Sequence, residues 1–114
     1  MKVVIQNGSN HPLSRSDAES LFSGMSDSWS NIISNVTLYR SENEEIYSYY
    51  YNKSKVLGIF SPETSKKEDV INIIYIALGC LKCIGDIPKK IPASKRKDYM
   101  EIGMQEVMSA SNAL

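Results

Sequence analysis

The chain has 114 residues, with 13 basic and 13 acidic side chains and a formal net charge of zero; 42% of its residues are hydrophobic and 23% are charged. That composition fits one globular domain over 1–114 and excludes a disordered or collagen-like chain. No apolar run reaches the 18 or so residues of a membrane span, and zero net charge argues against a general polyanion binder.

Lys2–Gln6 is a short β-branched run ended by Asn7-Gly8, which predicts a strand. Its apolar stretch is too short for a secretory signal, so a cytoplasmic location is expected. The tripeptides Asn7-Gly8-Ser9, Asn35-Val36-Thr37 and Asn52-Lys53-Ser54 fit the glycosylation pattern and, without export, are chance matches. Ser14 or Ser16 is the expected cap of a helix over 15–24, with Asp17 and Glu19 at its positive end and Gly24 as its stop. Ser26 or Asp27 caps a short helix carrying Trp29, Ile32 and Ile33.

Val36–Arg40 reads as a strand. Glu45–Tyr51 and Lys55–Phe60 read as a hairpin around Asn52-Lys53-Ser54. The pleat places Tyr47, Tyr49 and Tyr51 on one face and Ile46, Ser48 and Tyr50 on the other. Ser61-Pro62 ends the sheet, and Ser65 with Glu68 forms an expected capping box. From Val70 to Ile84 nearly every residue is apolar; Asn72, Tyr75, Gly79 and Lys82 fall on one stripe of a 3.6-residue helix, which predicts a helix over 66–85. Gly85-Asp86-Ile87-Pro88 stops it. Ser94 caps a last helix of about 95–110, with Tyr99, Met100, Ile102, Met104, Val107 and Met108 inward, and 109–114 are expected to fray. The order predicts an α+β domain with a small, mostly antiparallel sheet of about four strands and helices on one face.

Helix 66–85 is too apolar for a surface helix, and a domain of this size has few elements to cover it. The expectation is a homodimer that buries its remaining side, with Ile73, Ile76, Ala77, Cys80 and Met104 at the interface.

Cys80-Leu81-Lys82-Cys83 is the one recognisable chemical motif. A C-x-x-C pair serves thiol redox chemistry or half a zinc site. Here it falls near a helix C-terminus, where the dipole raises thiol pKa values, and His11 is the one further His or Cys towards the four ligands of a zinc site. Two chains together would supply four thiolates. Against this, cysteine is among the most buried residue types and packs as a small hydrophobe. No cofactor is expected: the six glycines make no phosphate-binding pattern. No G-x-S-x-G elbow supports a hydrolase. Enzymatic activity is therefore left open and leans towards none.

Six bases and one acid lie between Lys82 and Lys97. Lys89, Lys90, Lys95, Arg96 and Lys97 are candidate phosphate contacts, with Tyr47, Tyr49 and Tyr51 as stacking faces, which makes a nucleic-acid-binding module the alternative reading. Met100, Met104 and Met108 form a row suited to packing or to an adaptable groove. The first reading is a small non-catalytic protein acting by association, as a homodimer or an adaptor for a protein partner. An unrecognised hydrolase stands third.

Gly58-Ile59-Phe60-Ser61-Pro62, the helix Ile76–Gly85 and the Lys95-Arg96-Lys97 opening of the final helix together resemble a small zincin-type metallopeptidase domain, over about 36–100. That family carries H-E-x-x-H on its central helix. The register places Leu78, Gly79 and Lys82 where the first histidine, the glutamate and the second histidine would stand. The resemblance implies a fold shared with proteases and no protease activity.

Overall fold

The computed structural model describes residues 2–5 and 10–112. Its elements run β1 (Lys2–Ile5), α1 (Arg15–Ser23), a 3-10 helix (Asp27–Asn31), β2 (Asn35–Arg40), β3 (Tyr47–Tyr51), β4 (Val56–Ser61), α2 (Lys67–Ile84) and α3 (Ala93–Asn112). This is the α+β domain expected from the element order, with four strands in one sheet. The predicted end of β1 at Asn7-Gly8 lies outside the described residues. Among the described residues no helix is long and apolar enough to cross a membrane.

Strand directions correct the expectation of a mostly antiparallel sheet. The order is β1-β2-β4-β3, with β1–β2 and β2–β4 parallel and only β3–β4 antiparallel. The hairpin is antiparallel, as its turn requires. But β3 takes the edge and β4 returns into the gap beside β2, so β4 must run parallel to β2. Lys55 closes that turn with φ 57°, a left-handed conformation uncommon outside glycine.

Helix starts follow local chemistry in one case and depart from it in two. Ser14 Oγ accepts the Asp17 backbone N–H at 3.0 Å, capping α1 as predicted. Asp17 reaches Lys67 Nζ at 2.7 Å and ties α1 to the start of α2. Helix α2, by contrast, is preceded by Lys66 without a side-chain cap, so the Ser65–Glu68 capping box does not form; Glu68 and Asp69 still place negative charge in its first turn. Helix α3 starts before Ser94: the backbone N–H groups of Lys95 and Arg96 donate to the Pro92 carbonyl at 2.9 and 3.1 Å, and Ser94 sits inside the first turn. It runs to Asn112, beyond the expected end near 110. The stop of α2 is as expected. Gly85 adopts φ 71° and its N–H donates to the Leu81 carbonyl at 3.0 Å.

One face of the sheet carries the core. Val3, Val36, Leu38, Leu57 and Ile59 pack against Ala18 and Phe22 of α1, Trp29 and Ile33, and the Val70, Ile74, Ala77, Leu78 and Leu81 side of α2. Helix α3 lies on the far side of α2. The stripe of α2 that looks solvent-facing in the sequence is largely its contact with α3: a Cβ on Gly79 would stand 1.9 Å from the Tyr99 carbonyl oxygen, and a Cβ on Gly103 would stand 1.9 Å from the Tyr75 carbonyl oxygen. The two helices thus touch backbone to backbone at a reciprocal pair of glycines, closer than side chains normally allow.

A polar clasp closes the same side. Trp29 Nε1 donates to Glu106 Oε1 at 3.0 Å, and Lys82 Nζ lies 3.3 Å from the same oxygen. It joins the 3-10 helix, α2 and α3 around a tryptophan that is 2% exposed.

Candidate functional site

Strand alternation sends a second set of side chains to the face opposite the helices. The register aligns Tyr39, Phe60 and Tyr47 in one row, Thr37, Gly58 and Tyr49 in the next, and Asn35, Val56 and Tyr51 in the third. Rings stack across the first row: Tyr39 and Phe60 have centroids 4.5 Å apart at 10°, and Phe60 and Tyr47 4.6 Å apart at 5°. Tyr49 and Tyr51 meet at 4.7 Å and 58°. Gly58 lies beneath them; a Cβ there would be 3.0, 3.1 and 3.3 Å from ring atoms of Phe60, Tyr39 and Tyr51. Tyr47, Tyr49 and Tyr51 are among the exposed large hydrophobic residues. Partial burial, followed by the neighbouring phenols of Tyr39, Tyr49 and Tyr47, holds the Tyr51 phenol above its ordinary pKa.

The tyrosine face was legible in the alternation of 47–51. Tyr39 and Phe60 were missed. Alternation along the strands sets Thr37 and Tyr39 opposite Val36 and Leu38, and Gly58 and Phe60 opposite Leu57 and Ile59, with Tyr39 and Phe60 half-buried. Their join to the tyrosines depends on the insertion of β4 between β2 and β3.

The predicted dimer surface on α2 is corrected. Ala77 and Cys80 are fully buried inside the single chain and Ile76 is nearly so. The sheet covers one side of the helix and α3 the other, so Ala77 and Cys80 have no outward side to offer, while Ile76 lines a groove beside Ile73. Ile73 is half-buried, Met104 is exposed on α3, and the two are not part of one apolar surface with Ala77 and Cys80. The methionine row divides likewise: Met100 is half-buried, while Met104 and Met108 are exposed and not inward.

Cys80 and Cys83 also part company. Cys80 is buried and Cys83 exposed. Burial first, and then the neighbouring Cys83, push the Cys80 thiol up to about 11. A thiol so held is a poor nucleophile and a poor metal ligand. Among the described residues no group of three or more His, Cys, Asp or Glu side chains is arranged to hold a metal ion. Leu78, Gly79 and Lys82, the positions that the zincin resemblance aligns with the metal-binding motif, are used in packing: Leu78 in the core, Gly79 against α3, Lys82 on Glu106.

The basic stretch is spread over three environments. A groove of about 610 Å³ brings Ile73 and Ile76 together with Arg96 and Lys97, and there Glu44 and Asp69 face the two bases. A second groove of about 520 Å³ places Lys89 and Lys53 beside Tyr49 and Tyr51, with Asp86. Lys90 and Lys95 are exposed elsewhere.

His11, the single histidine, accepts the Leu13 backbone N–H on Nδ1 at 3.1 Å. Burial holds its pKa below the ordinary value. Protons therefore bind the unfolded chain more readily than the folded one. The His11 contribution to stability is complete above about pH 6.5 and declines as pH falls towards the lower folded value. Urea denaturation at stepped pH is expected to show this decline, and His11→Gln to flatten that part of the profile; an unchanged profile in the variant would count against a buried neutral imidazole.

No protein-family model, curated protein or solved structure matches the chain. The candidate site is the open face of an α+β domain whose mixed sheet is covered by helices on one face and carries aromatic rings on the other.

Proposed function

We propose that this chain acts by association, and that it self-associates through the open aromatic face of its sheet. The observation that carries the reading is a sheet with two parallel ladders and helices on one face only. Parallel strands are ordinarily covered on both faces. Here the uncovered face holds five rings, Tyr39, Tyr47, Tyr49, Tyr51 and Phe60. Aromatic side chains with a polar tip are the residues that interfaces favour, because they bury much area while their hydroxyls stay paired or wet. An inactive descendant of a zincin-type domain would fit the same reading, since its motif positions serve packing.

Sedimentation velocity from about 5 to about 500 µM is expected to show a reversible dimer, in the micromolar range of small contacts. Tyr49→Lys places a charge in the middle of the face at an exposed position. The fold should persist while association weakens about tenfold or more, because an unpaired charge would be buried on docking. A wild-type chain that remains monomeric throughout overturns the proposal.

A nucleic-acid strand is the second reading, favoured by the groove where Lys53 and Lys89 adjoin Tyr49 and Tyr51. Glu44 and Asp69 beside Arg96 and Lys97 weigh against it. Titration with a labelled single-stranded oligonucleotide at two salt concentrations decides it: salt-sensitive binding supports this reading, and no binding at low salt ends it.

A further inference from the structure

Resting on the self-association reading, we infer that the occupant of the aromatic face is a second copy whose strands run antiparallel to the first, the lysine end of each sheet lying on the glutamate end of the other. The register defines the ends. Lys2, Asn35, Val56 and Tyr51 share one end of the sheet, together with the turn that carries Lys53 and Lys55. Arg40 and Ser61 share the other end, beside the loop that carries Glu42, Glu44 and Glu45.

These three lysines and three glutamates are exposed, and none forms an ion pair among the described residues. Opposing charges are few at the lysine end and more numerous at the glutamate end. Asp86 adjoins the lysine end beside Lys89. At the glutamate end Arg40 lies 3.9 Å from Glu63, Glu44 shares a helix-side groove with Arg96 and Lys97, and Glu45 shares one with Arg96 and Lys89, while Glu42 lines neither groove. The sheet is thus polarised along its strands although the chain is neutral.

Two strand-aligned, two-fold arrangements would lay one open face on another. In the first, strands run parallel, so lysines meet lysines and glutamates meet glutamates. In the second they run antiparallel, and each lysine end meets a glutamate end. A two-fold axis makes every such contact twice, so the charge pattern counts double for or against. Shape selects the same arrangement. The stacked row Tyr39–Phe60–Tyr47 is bulky, and the row Asn35–Val56–Tyr51 at the opposite end is smaller. Antiparallel docking sets the bulky row of one copy on the smaller row of the other, about a central row that holds Gly58. Parallel docking sets bulk on bulk.

Area makes the charged ends necessary. Four strands at ordinary spacing and rise give a face about 19 Å wide and about 20 Å long. That outline, about 380 Å² per copy, is roughly half the area of a standard stable contact, so the aromatic face alone supports only a weak pair, and the loops at both ends must add to it.

A charge-swap experiment tests the arrangement. One variant carries Lys2→Glu and Lys53→Glu, the other Glu42→Lys and Glu45→Lys; circular dichroism melts check that both fold. Alone, each is expected to self-associate about tenfold or more weakly than wild type, because both of its ends then repel. Mixed in equal amounts, the two should pair with each other as tightly as wild type pairs with itself. A wild-type dimer whose affinity is indifferent to both variants, with no preference for the mixed pair, overturns the antiparallel arrangement and leaves self-association standing. A wild-type chain that never dimerises overturns the reading beneath both.

Discussion

Gly79→Ala is expected to destabilise the protein by about 3 kcal/mol, a loss at the upper end of overpacking costs. The added Cβ would stand 1.9 Å from the Tyr99 carbonyl oxygen, and the obstacle is backbone, which cannot swing aside as a side chain does. Helix α3 must lift away from α2, and its contact with Tyr75 through Gly103 loosens with it. The sign of the effect is diagnostic. An alanine in place of a solvent-exposed helical glycine stabilises by about 1 kcal/mol through helix propensity. Chemical denaturation therefore separates a stripe packed under α3 from a stripe facing water: a gain in stability would show that the helices do not touch there. Gly103→Ala is expected to act similarly. The double variant should cost less than the sum, because the first Cβ already opens the space that the second one needs.

Glu106→Ala is expected to cost about 2 to 3 kcal/mol, and Glu106→Gln clearly less. Alanine removes the acceptor of the buried Trp29 N–H and also the partner of Lys82. Glutamine keeps a carbonyl oxygen for Trp29 and gives up the charge attraction to Lys82, whose side chain is half exposed and worth little by itself. Equal losses in the two variants would place the energy in the ion pair. A near-neutral alanine variant would show that the indole N–H finds another acceptor. Tryptophan fluorescence offers an independent reading, since Trp29 is the single tryptophan.

Much of the element map was legible because local chemistry dictates it. Ser14 and Gly24 bracket α1, Gly85 ends α2, and the polar turn read at 52–54 closes the hairpin, with Lys55 joining the turn rather than the strand. These signals need only neighbours along the chain. The capping box at Ser65 and Glu68 was a plausible local signal that the structure does not use, as Lys66 takes the cap position. The stripe of Asn72, Tyr75, Gly79 and Lys82 shows the limit of periodicity. The spacing established a helix with two unlike sides. It did not say what covers the side with glycine and lysine, where Gly79 marks the closest approach of α3 and Lys82 meets Glu106.

The aromatic face divides in the same way. Alternation alone placed Tyr47, Tyr49 and Tyr51 on one side of a strand, because a pleat has period two wherever it occurs. Amphipathic spacing likewise determined that helices over 15–24 and 66–85 bury apolar residues. What tertiary structure decided is which strands neighbour one another and which helix covers which side. Insertion of β4 between β2 and β3 brought Tyr39 and Phe60 into the tyrosine row, and packing within the chain turned Ala77 and Cys80 of the expected interface into interior. Sequence periodicity reports the faces of an element. Only the long-range packing that competes for those faces says which are covered and which remain open.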